Sequence, residues 1–138
     1  MELKSSEIVV GALLPAIQHT ITQDRINMYA EASGDHNPIH VDGEFARKTP
    51  LGGTIAHGML VLAYISGMMT AAFGQSWLKN GKLSVRFRSP ARPGDVITAS
   101  GKVVRIEPVE AGRMFACEVL CANQNGEVVI NGEAKVVV

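Results

Sequence analysis

The sequence predicts an α+β fold in which an antiparallel sheet curves around one buried helix. Three observations carry this expectation. From Lys82 onward the hydrophobic period is two, whereas the chain before it reads mainly as helices. Helices first and strands afterwards favour α+β over an alternating α/β order. Between about Ala56 and Phe73 the chain ("AHGMLVLAYISGMMTAAF") is apolar on nearly every side, and a helix with no polar face is a buried one.

The elements follow in chain order. Ala16 to Ile21 reads as a short strand. Thr22 then caps a helix over Gln23 to about Ala32, with Asp24 in its first turn to complement the helix dipole. Ile26, Met28, Tyr29 and Ala30 give that helix an apolar side, and Ser33-Gly34 ends it. Asp42 reads as the cap of a short helix from Gly43 to Lys48, which Pro50 and Gly52-Gly53 break. In the long apolar helix that follows, Ala, Gly and Ser residues let neighbouring backbone come close. Leu83, Val85 and Phe87 then alternate with Lys82, Ser84, Arg86 and Arg88, the pattern of a half-buried strand. After the turn "SPARPGD", further strands read from Val96 to Ile106, Met114 to Ala122 and Val128 to Val138. Pro108 to Gly112 turns the chain between the first two, and Asn125-Gly126 is a strong hairpin signal between the last two.

The chain has 138 residues, which suits one domain over 1–138, without repeat or linker. Apolar residues form 46% of it and charged residues 19%, a globular balance. Thirteen basic residues cancel thirteen acidic ones. That balance gives no footprint for nucleic acid or an anionic membrane. The N-terminus has no basic and apolar leader pattern, and no apolar run reaches the ~20 residues that span a bilayer, so a cytoplasmic location is expected. Cys117 and Cys121 are four apart in an alternating segment. On an extended strand their Cα atoms would be about 13 Å apart, too far for a disulfide.

The densest chemistry lies in "SGDHNPIH", Ser33 to His40. One carboxylate, two imidazoles and an amide surround a glycine and a proline. By composition this is a turn, since Gly, Asp, Asn and Pro all favour turns. It is also a place where an Asp and a His five residues apart can face one point across a loop stiffened by Pro38. A metal site is a rival: Asp35, His36, His40 and His57 are all ligand types. Pro38 argues against a regular helix presenting His36 and His40 on one face, and no HExxH pattern or cysteine set is present, so no metal is expected. Elemental analysis discriminates the two.

The longer stretch "YAEASGDHNPIHVDGEFA", Tyr29 to Ala46, resembles the signature of the (R)-specific enoyl-CoA hydratases, or MaoC-like dehydratases. That pattern has an aromatic residue, then Gly-Asp-x-Asn-Pro-aliphatic-His, then a small residue six positions on. Tyr29, Gly34, Asp35, Asn37, Pro38, Ile39, His40 and Ala46 meet it. "IAHGML", Ile55 to Leu60, and "VRFRSPARPGD", Val85 to Asp95, resemble two further blocks. The resemblance implies a hot-dog fold, pairing into homodimers, and no cofactor. It implies reversible addition of water to a trans-2-enoyl thioester of coenzyme A or acyl carrier protein. Asp35 and His40 would be the catalytic pair and the Gly58 N–H the oxyanion donor.

The residues fit that chemistry. Hydration must take a proton from water as it attacks Cβ and give one to Cα, and two titratable groups holding one water can do both. The first N–H groups of the long helix lack intrahelical partners and sit at the positive end of its dipole. Gly58 has no Cβ, so a thioester can come close. Asn37, His57 and Met59 are substrate-contact candidates. Each has a structural alternative: Asn37 orients the loop, His57 is structural, and Met59 joins Met68 and Met69 in the core. His36 is expected in solvent. Arg86, Arg88 and Arg92 read as a solvated face, or as phosphate contacts for coenzyme A. Hot-dog folds also host thioesterases and binding modules for acyl thioesters, and fold alone does not choose among them. The Asp-x-Asn-Pro-x-His loop favours the hydratase.

Overall fold

The computed structural model describes residues 2–138. Five strands form one antiparallel sheet: β1 (Ile17–Thr20), β2 (Lys82–Phe87), β3 (Val96–Val109), β4 (Gly112–Ala122) and β5 (Val128–Val137). Their order across the sheet is β1-β3-β4-β5-β2, and every pair is antiparallel. The long helix α4 (Gly58–Phe73) packs on one face of the sheet, the arrangement of a hot-dog fold. Ahead of it come α1 (Gln23–Ser33), α2 (Pro38–Val41) and α3 (Gly43–Arg47), and after it α5 (Gln75–Asn80).

Alternation sets which side chains meet the helix. On β4, Phe115, Cys117, Val119 and Cys121 point inward and are buried. They face Val61, Ile65, Met68 and Met69 of α4 within one core, joined by Ile97, Ala99 and Val103 from β3 and Ile130, Ala134 and Val136 from β5. Burying each large aliphatic side chain stabilises the fold by about 1.5–3 kcal/mol. Cys117 and Cys121 are free and lie inside this core.

Beyond α2, which stands where a loop was expected, four differences separate the elements from expectation. α4 begins at Gly58, two residues after the expected start, because His57 is still extended (φ −60°, ψ 136°) and forms its cap. β3 and β4 run on to Val109 and from Gly112, so the expected turn from Pro108 narrows to Glu110-Ala111. Proline is tolerated at position 108 because β1 pairs only with Val96 to Ala99, leaving the far end of β3 without a second neighbour. α5 was not readable, since a six-residue helix carries no periodic signal. Gly74 (φ 57°) redirects the chain into it, and Trp77 Nε1 donates to Ser66 Oγ at 3.0 Å.

The fourth difference concerns α4 itself. It is not buried on all sides: Met59, Ala63 and Gly67, four residues apart, form an exposed stripe. The apolar sequence is therefore only partly used by the core of one chain.

Candidate active site

α1 ends where its sequence directs. Gly34 takes a left-handed conformation (φ 80°), and its N–H donates to the Ala30 carbonyl at 2.9 Å. Asp35 follows at once. Its Oδ1 accepts from the Asn37 N–H at 3.2 Å, and Asn37 Oδ1 accepts from the Ile39 N–H at 3.2 Å. Asn37 is thus the cap of α2, and Pro38 occupies the first helical position, where its missing N–H is no loss. The expected stiff loop is therefore a single helical turn. His36 precedes that turn, exposed and beside Glu31 at 3.8 Å, which takes it out of the site. Asn37 Oδ1 is thereby engaged in the cap.

The turn of α2 brings His40 inward. Its residue surface is 7% exposed. His40 Nδ1 lies 2.8 Å from the carbonyl oxygen of Ile55. A carbonyl only accepts, so Nδ1 carries the hydrogen and Nε2 presents a lone pair when the ring is neutral. That Nε2 faces Asp35 Oδ2 at 3.9 Å. The separation is too long for a direct hydrogen bond and suits two groups that share one oxygen between them. The pair is asymmetric: the Asp35 side chain is 54% exposed and that of His40 9%.

The start of α4 lies beside this pair. Ile55 N–H donates to the Ile39 carbonyl at 3.1 Å, which joins the segment before α4 to α2. His57 is buried; its Nε2 is 2.9 Å from the Asp35 carbonyl oxygen, and its ring stacks on His40 with centroids 3.9 Å apart. Gly58 is the first residue of α4, so its N–H has no intrahelical acceptor. A Cβ at Gly58 would come within 2.9 Å of Phe87 Cε1. The missing side chain is thus used by the Phe87 ring, a packing reason that the sequence did not reveal. Met59, next along, is 58% exposed, while Met68 and Met69 are fully buried. Met59 therefore stands at the rim and not in the core.

Two contributors escaped the sequence reading. Gln23 Nε2 donates to the His40 carbonyl at 2.8 Å, while its Oε1 accepts from Thr54 Oγ1 at 2.7 Å. Phe87 carried no signal beyond its place in an alternating strand. Arg86 and Arg88 line a groove of about 800 Å³ on the sheet face away from α4, together with Lys102, Glu118 and Asn131. Arg88 Nε donates there to Asn131 Oδ1 at 3.1 Å. Asp35, His40 and His57 each offer a metal-ligand atom within 4.8 Å of the others. One nitrogen of each imidazole is already held by a carbonyl, leaving His40 Nε2 and His57 Nδ1.

This arrangement offers a carboxylate and an imidazole around one point, beside a free helix N-terminus. A family model described as MaoC like domain matches residues 9–124. A 3-hydroxybutyryl-CoA dehydratase of Methylorubrum extorquens is 32% identical over 134 residues, covering 94% of this chain and 80% of the relative. An (R)-specific enoyl-CoA hydratase of Rhodospirillum rubrum is 33% identical over 123 residues, covering 89% and 83%. Among solved structures, the unliganded R-hydratase PhaJ1 of Pseudomonas aeruginosa superimposes with a TM-score of 0.83 at 28% identity, covering 96% of this chain and 83% of that one. The chain belongs to the MaoC-like dehydratase family and is an enzyme of the hydro-lyase type.

Proposed function

We propose that the protein is an (R)-specific enoyl-CoA hydratase, adding water to trans-2-enoyl thioesters to give (3R)-hydroxyacyl thioesters, and reversing that reaction. The observation that carries the reading is His40 Nε2 facing Asp35 Oδ2 at 3.9 Å beside the first N–H of α4. The names of the relatives support the substrate class.

In this reading Asp35 and His40 hold one water. As its oxygen bonds to Cβ, the pair takes one proton from it and delivers one to Cα, so that H and OH add across the double bond. Both groups act from one face, which makes the addition syn. The negative charge that develops on the thioester oxygen is met by the Gly58 N–H, and losing one such donor typically costs about 3–4 kcal/mol of transition-state stabilisation. The Phe87 ring borders the same position and Met59 lines its rim.

The working unit is a homodimer in the cytoplasm. The exposed apolar stripe of α4 and the outer edge of β2, which pairs only with β5, are the features a second copy would cover. Among the described residues no helix is long and apolar enough to cross a membrane.

The test is an assay with crotonyl-CoA and longer enoyl-CoAs, following loss of the enoyl absorbance and the chirality of the product. Formation of (3R)-hydroxyacyl-CoA is expected. Release of free thiol without hydration would move the protein to the thioesterases, and binding without turnover to the non-catalytic binding modules for acyl thioesters.

A further inference from the structure

His57 sits where the parts of the site meet. It caps α4 immediately before Gly58 and is only 3% exposed. One ring face lies on His40, with planes 26° apart, and the Tyr29 ring leans on it at a centroid distance of 4.7 Å. Its Nε2 meets the Asp35 carbonyl at 2.9 Å, and its Nδ1 is buried with no hydrogen-bond partner among the described residues. The carbonyl only accepts, so Nε2 carries the hydrogen and Nδ1 the lone pair. The opposite tautomer would set a lone pair against the carbonyl oxygen and leave a buried N–H without an acceptor.

The bond to Asp35 matters because the other ties of Asp35 are short. Its N–H donates to Ser33 Oγ at 3.1 Å, and its Oδ1 accepts from the Asn37 N–H at 3.2 Å. Both partners are two residues away and move with it. Its carbonyl alone is bonded to a distant element, through His57.

We propose that His57 is a positioning residue and not a substrate contact. Its Nε2–H ties the backbone of Asp35 to the start of α4, and this hydrogen bond carries the positioning, while the His40 ring, already held at Nδ1 by the Ile55 carbonyl, lies against it. One buried side chain thereby fixes the acid–base pair relative to the Gly58 N–H. This role rests on the hydratase reading above. Its Nε2 hydrogen is held by the Asp35 carbonyl and its Nδ1 has no exposed surface, so neither nitrogen is offered to substrate.

The test compares wild type, His57→Phe and His57→Gln, with hydration kinetics and melting measured on the same preparations. Phe keeps the ring and loses the donor; Gln loses the ring and keeps a donor near the position of Nε2. Displacing a catalytic group by about 1 Å can cost a hundredfold in rate. His57→Phe is therefore expected to lose about a hundredfold in kcat with KM within about threefold. His57→Gln should recover most of that loss. Nitrogen-15 spectra of the wild-type imidazoles should show His57 protonated at Nε2.

Three results would overturn the role: near-normal kcat in His57→Phe, equal losses in the two variants, or a wild-type His57 protonated at Nδ1. The last decides the matter even where His57→Phe does not fold. An active wild type with an active His57→Phe removes only the positioning role. A wild type that does not hydrate enoyl thioesters removes the hydratase reading and this role together.

Discussion

His40 gives its Nδ1 hydrogen to the carbonyl of Ile55, 2.8 Å away, and this one bond decides which nitrogen is free for chemistry. Because Nδ1 is committed, Nε2 is the atom turned toward Asp35. Ile55, two residues before the α4 cap His57, thus sets the tautomer of a residue on α2.

Asp35→Asn and His40→Ala should each lower hydration by at least ~100-fold, since acid–base partners typically contribute about 10²–10⁴-fold. Asp35 is largely exposed, so Asp35→Asn should leave the melting temperature nearly unchanged. Steady-state rates beside thermal melts check this. Near wild-type turnover in both variants would refute the assignment.

Gly58→Pro and Gly58→Ala separate the N–H from the missing side chain. Both add a Cβ where the Phe87 ring lies, so both must displace that ring, which is 55% exposed and has room to move. Only proline also removes the N–H, at a helix start where proline is tolerated. Gly58→Pro should lose about 10²–10³-fold more turnover than Gly58→Ala, the usual effect of one oxyanion donor. Equal activities in two folded variants would exclude the Gly58 N–H from the reaction.

Stability should fall as pH rises above about 9. Burial pushes the Cys117 thiol from 9.0 to about 11, helped by the nearby Glu133 charge, and burial pushes Cys121 to about 12. Tyr64 is raised from 10.0 by burial in the same direction. The folded chain therefore keeps protons that the unfolded chain releases, which makes the slope of stability against pH negative in this window. Stability from this source is full below the unfolded values and is lost upward through the folded ones. Denaturant midpoints at about pH 8 and about pH 10.5 should differ, and a flat profile would contradict the thiol environments.

Light scattering at micromolar concentration should give twice the mass of one chain. Ala63→Arg, placed on the exposed stripe of α4, should shift the mass toward a single chain while leaving the monomer folded. A wild-type monomer would refute the dimer.

The sheet, α1, α3 and the long helix were readable because each depends on local pattern: period two from Lys82, the Thr22 and Asp42 caps, and the apolar run after His57. The closeness of Asp35 and His40 was readable because both lie on one short segment. The supports were not. Gln23 is separated from His40, and Phe87 from Gly58, by long stretches of chain, and no local pattern encodes such contacts. The exposed stripe on α4 was hidden for a different reason. An exposed apolar face has the same composition as a buried one, and a single chain's sequence does not distinguish them.

The cross-ties between Ile39 and Ile55, and between His40 and Ile55, have a consequence for how this family member can vary. They close the chain between them into a loop whose two ends are already pinned at the site. Within it, Gly52-Gly53 lies beyond α3 with open space around both glycines. Once a loop's ends are fixed, doubling its length costs only about 0.6 kcal/mol. Inserted sequence there would grow outward from a hinge that does not move. New walls or lids are therefore added at little thermodynamic cost, while Asp35 and His40 stay where α1, α2 and α4 hold them.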